Sequence, residues 1–552
     1  MPDRRARWHA SARRSRALLT AHQRSALAIL TRRGIVLMTA VGLTAAMAAC
    51  SGPAPAPASA SGHVGLVVSS ASGQIRGKHV GSTDQYLGIP YAAPPVGPLR
   101  WRPPQPPARW HGIRAATRFS PHCPQPRGVF GHPSTSEDCL YVNVFRPASQ
   151  LRSNLPVMVW IHGGGFVGGE SDDYNPTALV ADGVVVVTIN YRLGALGFLA
   201  HPALAGQPGG PTGDYGLMDQ QAALLWVRQN IRAFGGNPAN VTIFGESAGG
   251  QSVLLQLISP TARGLFAKAI AESGGYAQYP SSLASAEAQG RAFAAKAGCA
   301  SQTATCLRSL PVATILADQN QSGASADMDG VVLKQPLKQA LASGNFNRVP
   351  VIDGSNHDEW RLFVALATFE GHPVTAANYL STIESTLYVS PQIAAVIAQQ
   401  YPLSAYRSPP LAMSAVGTDG IFACPTLLLD QDMAKYTPTY AYEFSDENAP
   451  TGYPSPGFPY AATHAAELQY LFGMPPPVAG TLSARQQALA ADMRAAWTSF
   501  AKSGVPAASG AATWPRFTTG DQRMQSLVPP EPRQETSFAA DHHCALWALG
   551  GD

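Results

Sequence analysis

"VTIFGESAGGQSV", residues 241 to 253, holds the single Gly-x-Ser-x-Gly of a 552-residue chain. Alone the pattern is weak, since glycine and serine are both common here; its surroundings give it weight. "VTIF" (Val241–Phe244) is a short apolar, β-branched run, Gly245–Gly249 is a turn without bulk, and "GQSVLLQL" (Gly250–Leu257) reads as helix. A strand that turns sharply into a helix needs small residues on both sides of the central serine. The first amides of the helix are left unpaired beside that serine, ready to face negative charge. Ser247 is therefore a candidate nucleophile.

Four further apolar runs resemble "VTIF". They are "PVMVWI" (Pro156–Ile161), "VVVVTINY" (Val184–Tyr191), "AKAIAES" (Ala267–Ser273) and "VPVIDGS" (Val349–Ser355). They lack polar alternation, and helical patterns separate them, as expected of a parallel sheet covered on both faces in an α/β fold. Within "DQQAALLWVRQNI" (Asp219–Ile231), Ala222, Leu225, Trp226 and Gln229 recur at helical spacing. Within Ala484–Gly504, Leu489, Met493, Trp497 and Phe500 form a second stripe, closed by Gly504.

Composition narrows the function classes. Hydrophobic residues make up 45% and charged residues 13%, a globular balance with a large core. The formal charge is +5, but residues 1–50 hold nine Arg, no Lys and one acid, so removing their +8 leaves −3 for the rest. No basic cluster interleaved with aromatics follows, so nothing suggests a nucleic-acid partner. Residues 1–49 read as an export signal whose charge-free stretch ends in Met47-Ala48-Ala49-Cys50. That ending resembles a bacterial lipobox with Met47 where Leu is usual, and it implies lipidation of Cys50 and attachment to a membrane. The long basic n-region points to a translation start nearer Leu30. Residues 50–62 are a Pro/Ala/Ser tether, and residues 63–552 form the remaining domain. Cys50 leaves six cysteines, for which sequence alone permits fifteen pairings; Cys123 with Cys139, Cys299 with Cys306 and Cys424 with Cys544 are plausible. An oxidising compartment outside the cytoplasm suits disulfides.

A serine nucleophile needs a base, an acid to orient that base, and amide donors for the oxyanion. "IHGGGF" (Ile161–Phe166) places glycines straight after the strand "PVMVW", where main-chain N–H groups can converge on an oxyanion. With both glycine clusters in view, the chain resembles the type-B carboxylesterases, the α/β-hydrolase family that includes cholinesterases and bacterial para-nitrobenzyl esterases. The matching stretches include Tyr86–Pro106, "SEDCLYVNV" (Ser136–Val144), "NYRLGALGFL" (Asn190–Leu199), Gly213–Gly250, "GSNHDE" (Gly354–Glu359) and "ATHAAEL" (Ala462–Leu468).

The resemblance implies an α/β-hydrolase fold, with a central mostly parallel sheet and insertions over an active-site gorge. It implies hydrolysis of small-molecule carboxylic esters through an acyl-enzyme, without cofactor or metal. Carried over residue by residue, it makes Ser247 the nucleophile, Glu359 the acid and His464 the base. The N–H groups of Gly164, Gly165 and Ala248 would form the oxyanion hole. It supports all three cysteine pairs, with the 123–139 loop rimming the gorge. It makes Asp358 a structural acceptor, His162 a neighbour of the hole, and His542 and His543 surface residues. Cholinesterases carry a choline-stacking tryptophan in the first disulfide loop; here Phe130 is the only aromatic side chain there, which argues against choline esters. A non-catalytic adhesion module is the rival reading, and the retention of Ser247, Glu359 and His464 disfavours it.

Overall fold

The Val- and Ile-rich runs are strands of one sheet. The computed structural model describes residues 66–548 except 129, 149–153, 206–209, 320–324, 476–477 and 508–512. The leader and tether assigned to 1–62, with Cys50, lie outside the described residues. In chain order the strands are β1 (Lys78–Val80), β2 (Thr83–Pro90), β3 (Tyr141–Pro147), β4 (Leu155–Ile161), β5 (Val185–Ile189), β6 (Gly236–Glu246), β7 (Lys268–Glu272), β8 (Val351–Asn356), β9 (Thr439–Phe444), β10 (Met524–Leu527) and β11 (Arg533–Glu535). They hydrogen-bond in the order β11-β10-β9-β8-β7-β6-β4-β5-β3-β2-β1. The strands from β10 to β5 along that row run parallel, and both flanks are antiparallel. This is the α/β-hydrolase arrangement that the resemblance implies.

Two-sided burial explains why the runs do not alternate. Val157, Val159 and Ile161 of β4 join Val185, Val187 and Ile189 of β5 in one apolar cluster. Met158 and Trp160, pointing the other way, join Val186 and Phe244 in a second. The helices that matter to the site are α1 (Tyr215–Asn230), α2 (Ala248–Ile258), α3 (Pro409–Met433) and α4 (Ala484–Ser503). Apolar residues of α1 and α2 enter the first cluster, and those of α4 the second.

Helix α4 follows its predicted stripe: Leu489, Met493, Trp497 and Phe500 are all fully buried. Ser483 and Gln486 close a capping box at its start, and Gly504 (φ 82°) supplies the left-handed residue that ends it. Helix α1 departs from prediction. Leu225 and Gln229 face solvent, while Ala223, Leu224, Trp226 and Val227 are buried. The reason is polar: the buried Gln220 and Gln221 side chains donate to Ser252 Oγ (2.9 Å) and Gln256 Oε1 (2.9 Å) of α2. Glutamines that satisfy one another inside the fold hide the inward face from a pattern of apolar residues.

Register places the chemistry at one edge. Ile161 pairs with Gly245, Glu246 with Glu272, and Glu272 with Gly354, so the C-terminal ends of β4, β6, β7 and β8 lie side by side. Ligands bind at this edge of open α/β sheets. The chain between β8 and β9 is helical, with its own apolar cluster around Ile383, Tyr401 and Met413. Helix α3 contains a π-turn, Thr418–Ala423.

Candidate active site

Ser247 stands between β6 and α2 at φ 56° and ψ −122°. A non-glycine residue held there carries about 1–3 kcal/mol of strain, which the surroundings must offset. Its N–H donates to Glu272 O (2.9 Å) and its carbonyl accepts from Gln251 N (2.8 Å). The flanking glycines are sterically required. A Cβ on Gly245 would lie 2.5 Å from Ile161 O, and one on Gly249 would run into the same carbonyl.

His464 is buried beside Ser247 in one cavity, hydrogen-bonded at Nδ1 and with a second carboxylate near Nε2. Nδ1 lies 2.5 Å from Glu359 Oε2, and Nε2 lies 3.2 Å from Glu246 Oε1. Glu359 is fixed in turn by Ser273 Oγ (2.5 Å) and Asn356 N–H (2.8 Å), both donating to Oε1. Burial disfavours the imidazolium, but the Glu246 and Glu359 carboxylates outweigh it and push His464 up. Glu246 is itself raised by burial, with His464 pulling the other way.

The glycine loop after β4 completes the cavity. A Cβ on Gly163 would sit 2.8 Å from Glu246 O and 3.1 Å from Ser247 Cβ, so this loop runs directly against the serine. Gly164 (φ 99°) and Gly165 (φ 62°) hold left-handed conformations. Among the described residues, no protein acceptor takes the N–H of Gly164, Gly165 or Ala248. The cavity thus has a serine, a carboxylate-held imidazole and free amide donors around one space.

Residues 65–547 match the model of the "Carboxylesterase family". The chain belongs to that family. It is similar to the fumonisin B1 esterase of Sphingopyxis macrogoltabida, at 39% identity over 82% of this chain and 84% of that protein. It is also similar to the para-nitrobenzyl esterase of Bacillus subtilis (strain 168), at 34% identity over 82% and 92% of the two chains. A solved structure of PNB esterase superimposes with a TM-score of 0.75 and 32% identity, covering 87% of this chain and all of the other. The protein is a carboxylic ester hydrolase of the α/β-hydrolase fold.

The esterase's cavity measures about 300 Å³. Trp360, Phe363 and Phe422 form one wall, with Phe363 and Phe422 each 5.1 Å from the His464 ring. The π-turn of α3 supplies Ile421 and Phe422, an instance of such turns occurring at functional sites. Phe130 lines the cavity from the first disulfide loop. Among the described residues, no lysine or arginine lines it, whereas Asp173 and Glu246 do. The three disulfides Cys123–Cys139, Cys299–Cys306 and Cys424–Cys544 are present.

Asp358 points elsewhere. It pairs with Arg361 Nη2 (2.7 Å) and His357 Nδ1 (3.3 Å) and accepts from Ala462 N (3.3 Å). Burial alone would raise its carboxyl, but His357 and Arg361 hold it below the usual range. His162 is stacked on Tyr191 (4.5 Å between centroids), and burial lowers it to about 4, so it stays neutral.

The expectation that His542 is a surface residue is wrong. It is buried, with Nδ1 2.6 Å from Asp419 Oδ1 and Nε2 2.6 Å from Glu443 Oε1. The π-turn and β9 bring both acids inward, and Cys544, two residues on, is tied to Cys424. His543 is half-exposed. Sequence reasoning also missed Glu246, Ser273 and Asn356. Glu246 lies inside the opening motif, but nothing in its spacing marks it as facing the imidazole.

Proposed function

We propose that this carboxylesterase cleaves neutral carboxylic esters with Ser247 as nucleophile, His464 as base and Glu359 as orienting acid. His464 takes the Ser247 proton as Oγ attacks the acyl carbon. Gly164, Gly165 and Ala248 donate to the oxyanion, and the imidazolium returns the proton to the departing alcohol. Water then repeats the sequence on the acyl-enzyme, with His464 again the base. Glu359 holds Nδ1–H so that Nε2 accepts, and it stabilises the imidazolium.

The observation that carries this reading is the single cavity holding Ser247, His464 and the glycine loop, with His464 Nδ1 clamped 2.5 Å from Glu359. Acidic Asp173 and Glu246 disfavour anionic esters, and the aromatic wall suits apolar acyl or alcohol groups. Incubation with a fluorophosphonate should stop hydrolysis of para-nitrophenyl butyrate and leave one adduct, mapped by mass spectrometry to Ser247. An adduct elsewhere, or full activity beside a labelled Ser247, overturns the assignment.

The reading extends to location. The disulfides support residence outside the cytoplasm, with residues 1–49 as the export signal and 50–62 as a tether. Attachment to a membrane would come from lipid on Cys50. The mass of the mature N-terminal peptide tests it: a diacyl-glyceryl cysteine is expected, and an unmodified start beyond Cys50 means free secretion.

A further inference from the structure

His132 in the first disulfide loop and His122, just before its Cys123, are two imidazoles that the proposed reaction does not use. His122 and His132 converge on Glu170, a carboxylate buried to 1% exposure, six residues beyond Gly164. His122 Nδ1 lies 3.1 Å from Glu170 Oε2, and His132 Nδ1 contacts Glu170 Oε1 more closely. The His132 backbone N–H donates to Oε2 (3.0 Å). The other nitrogen of His122, Nε2, is 3.0 Å from Asp172 Oδ1. One ligand atom from each of His122, His132 and Glu170 lies within 4.8 Å of the others.

We propose that His122, His132 and Glu170 bind one divalent transition-metal ion of the zinc class, with Asp172 orienting the His122 ring. Two imidazoles and a carboxylate match the ligand preference of such ions. Neighbouring ligand atoms of a tetrahedral zinc are about 3.3 Å apart at ordinary bond lengths, close to the His122–Glu170 separation. The Asp172–His122 contact has the form of the carboxylate–histidine–metal arrangement that fixes a ligand's tautomer. The His132 side chain is 74% exposed, so an ion reaches the site from solvent and water can fill the remaining position. Charge favours it as well. Glu170 and Asp172 have only imidazoles as ion-pair partners among the described residues. Asp173 beside them is pushed up to about 6 by burial and then by those two carboxylates.

The site is outside the reacting centre but touches its rim. Gln125, in the same loop, exchanges two hydrogen bonds with Gly169 (2.8 and 3.1 Å), and Phe130 lines the cavity. A bound ion would staple this loop to the segment that follows the oxyanion glycines. His357, Glu443 and His542 form a rival cluster of similar dimensions. There the His542 contacts to Asp419 and Glu443 are 2.6 Å each, shorter than the 3.0 and 3.1 Å contacts that His122 makes, so an ion must displace a more tightly held proton.

Untagged full-length protein titrated with zinc chloride by calorimetry tests the assignment, with cobalt(II) spectra reporting the ligand field. One ion per chain is expected. His132→Ala, an exposed change that leaves the fold intact, should weaken binding by at least about tenfold, as should Glu170→Gln. His357→Gln should leave it unchanged. Visible cobalt bands of four- or five-coordinate intensity should appear with the wild type and fade with His132→Ala. Absence of binding at about 1 mM zinc, binding that survives both His132→Ala and His122→Ala, or binding abolished by His357→Gln overturns the proposal.

Discussion

Two buried histidines in this esterase each lie between two carboxylates, in different surroundings. His464 is held by Glu359 at 2.5 Å and faces Glu246 at 3.2 Å; His542 is held by Asp419 and Glu443 at 2.6 Å each. The difference lies in the surroundings. His464 opens on an aromatic cavity shared with Ser247 and the glycine loop, and Glu246 Oε1, 3.2 Å from its Nε2, makes no hydrogen bond. Around His542 both contacts are tight, and the Cys424–Cys544 bond fastens its segment. Of these two, His464 shares its space with a serine and unpaired amide donors, whereas His542 ties the π-turn to β9.

The sharpest break between the two is made at the serine. Ser247→Ala should lower kcat by about 10⁴–10⁶-fold, leaving what binding and the oxyanion hole supply. His542→Gln should leave kcat of the folded protein within about threefold. A Ser247→Ala protein with a tenth of wild-type activity would remove the distinction.

Glu359→Gln should cost about 10²–10⁴-fold in kcat with KM little changed, because an amide can stabilise the wrong imidazole tautomer. Asp358→Asn should cost less than about tenfold, since its partners are Arg361, His357 and Ala462 rather than His464. Steady-state kinetics on both, with circular dichroism to confirm folding, decides; the reverse ranking would exchange their roles.

His542 should matter to stability. Removing it leaves Asp419 and Glu443 buried without their shared cation, at a cost of about 3–5 kcal/mol. Burial opposes its charge, but the two acids raise it from 6.5 to about 10, above its unfolded value. This contribution is therefore complete below about pH 6.5 and is lost as pH rises through the folded value. The difference in Tm between wild type and His542→Gln should be widest near pH 6 and shrink toward pH 10; a pH-independent difference would assign the loss to packing.

What was legible in the sequence divides along the same line. Val241–Phe244 and its four companions had to be strands buried on both faces, and Gly245 and Gly249 have no room for a Cβ. Such local constraints are written in residue type. The proposed Ser-Glu-His set rests on resemblance, because its members are more than a hundred residues apart and no local spacing links them. His542 was misread because burial by a π-turn and a distant strand leaves no mark near residue 542. The α1 stripe was misread because Gln220 and Gln221 satisfy polar groups inside the fold. Ser273 and Asn356 act through hydrogen bonds to Glu359 that no spacing encodes.

The smallest effect concerns Glu246, the contact that makes His464 unlike a simple charge-held imidazole. The proposed general-base action needs neutral His464, so whatever stabilises the imidazolium should move the acid limb of kcat/KM to higher pH. Burial lowers His464, and the Glu246 and Glu359 charges raise it to a net increase; Glu246 is raised by burial and then by Glu359, against the pull of His464. The two groups therefore titrate as a pair, and the wild-type limb should be shallow, spread over two steps. Glu246→Gln keeps the shape and removes one charge. The remaining limb should follow a single proton and lie about one pH unit lower, a change of about 1.4 kcal/mol in the balance between the two His464 states. At the pH optimum kcat should change by less than about tenfold, because Glu359 still fixes the tautomer at Nδ1. The pH–rate profiles of both proteins, fitted with para-nitrophenyl butyrate as substrate, give the shift directly. An unmoved limb would mean that Glu246 is already neutral over the working range and that Glu359 alone sets the base; a limb moved upward would mean that Glu246 opposes the imidazolium, against the geometry at Nε2.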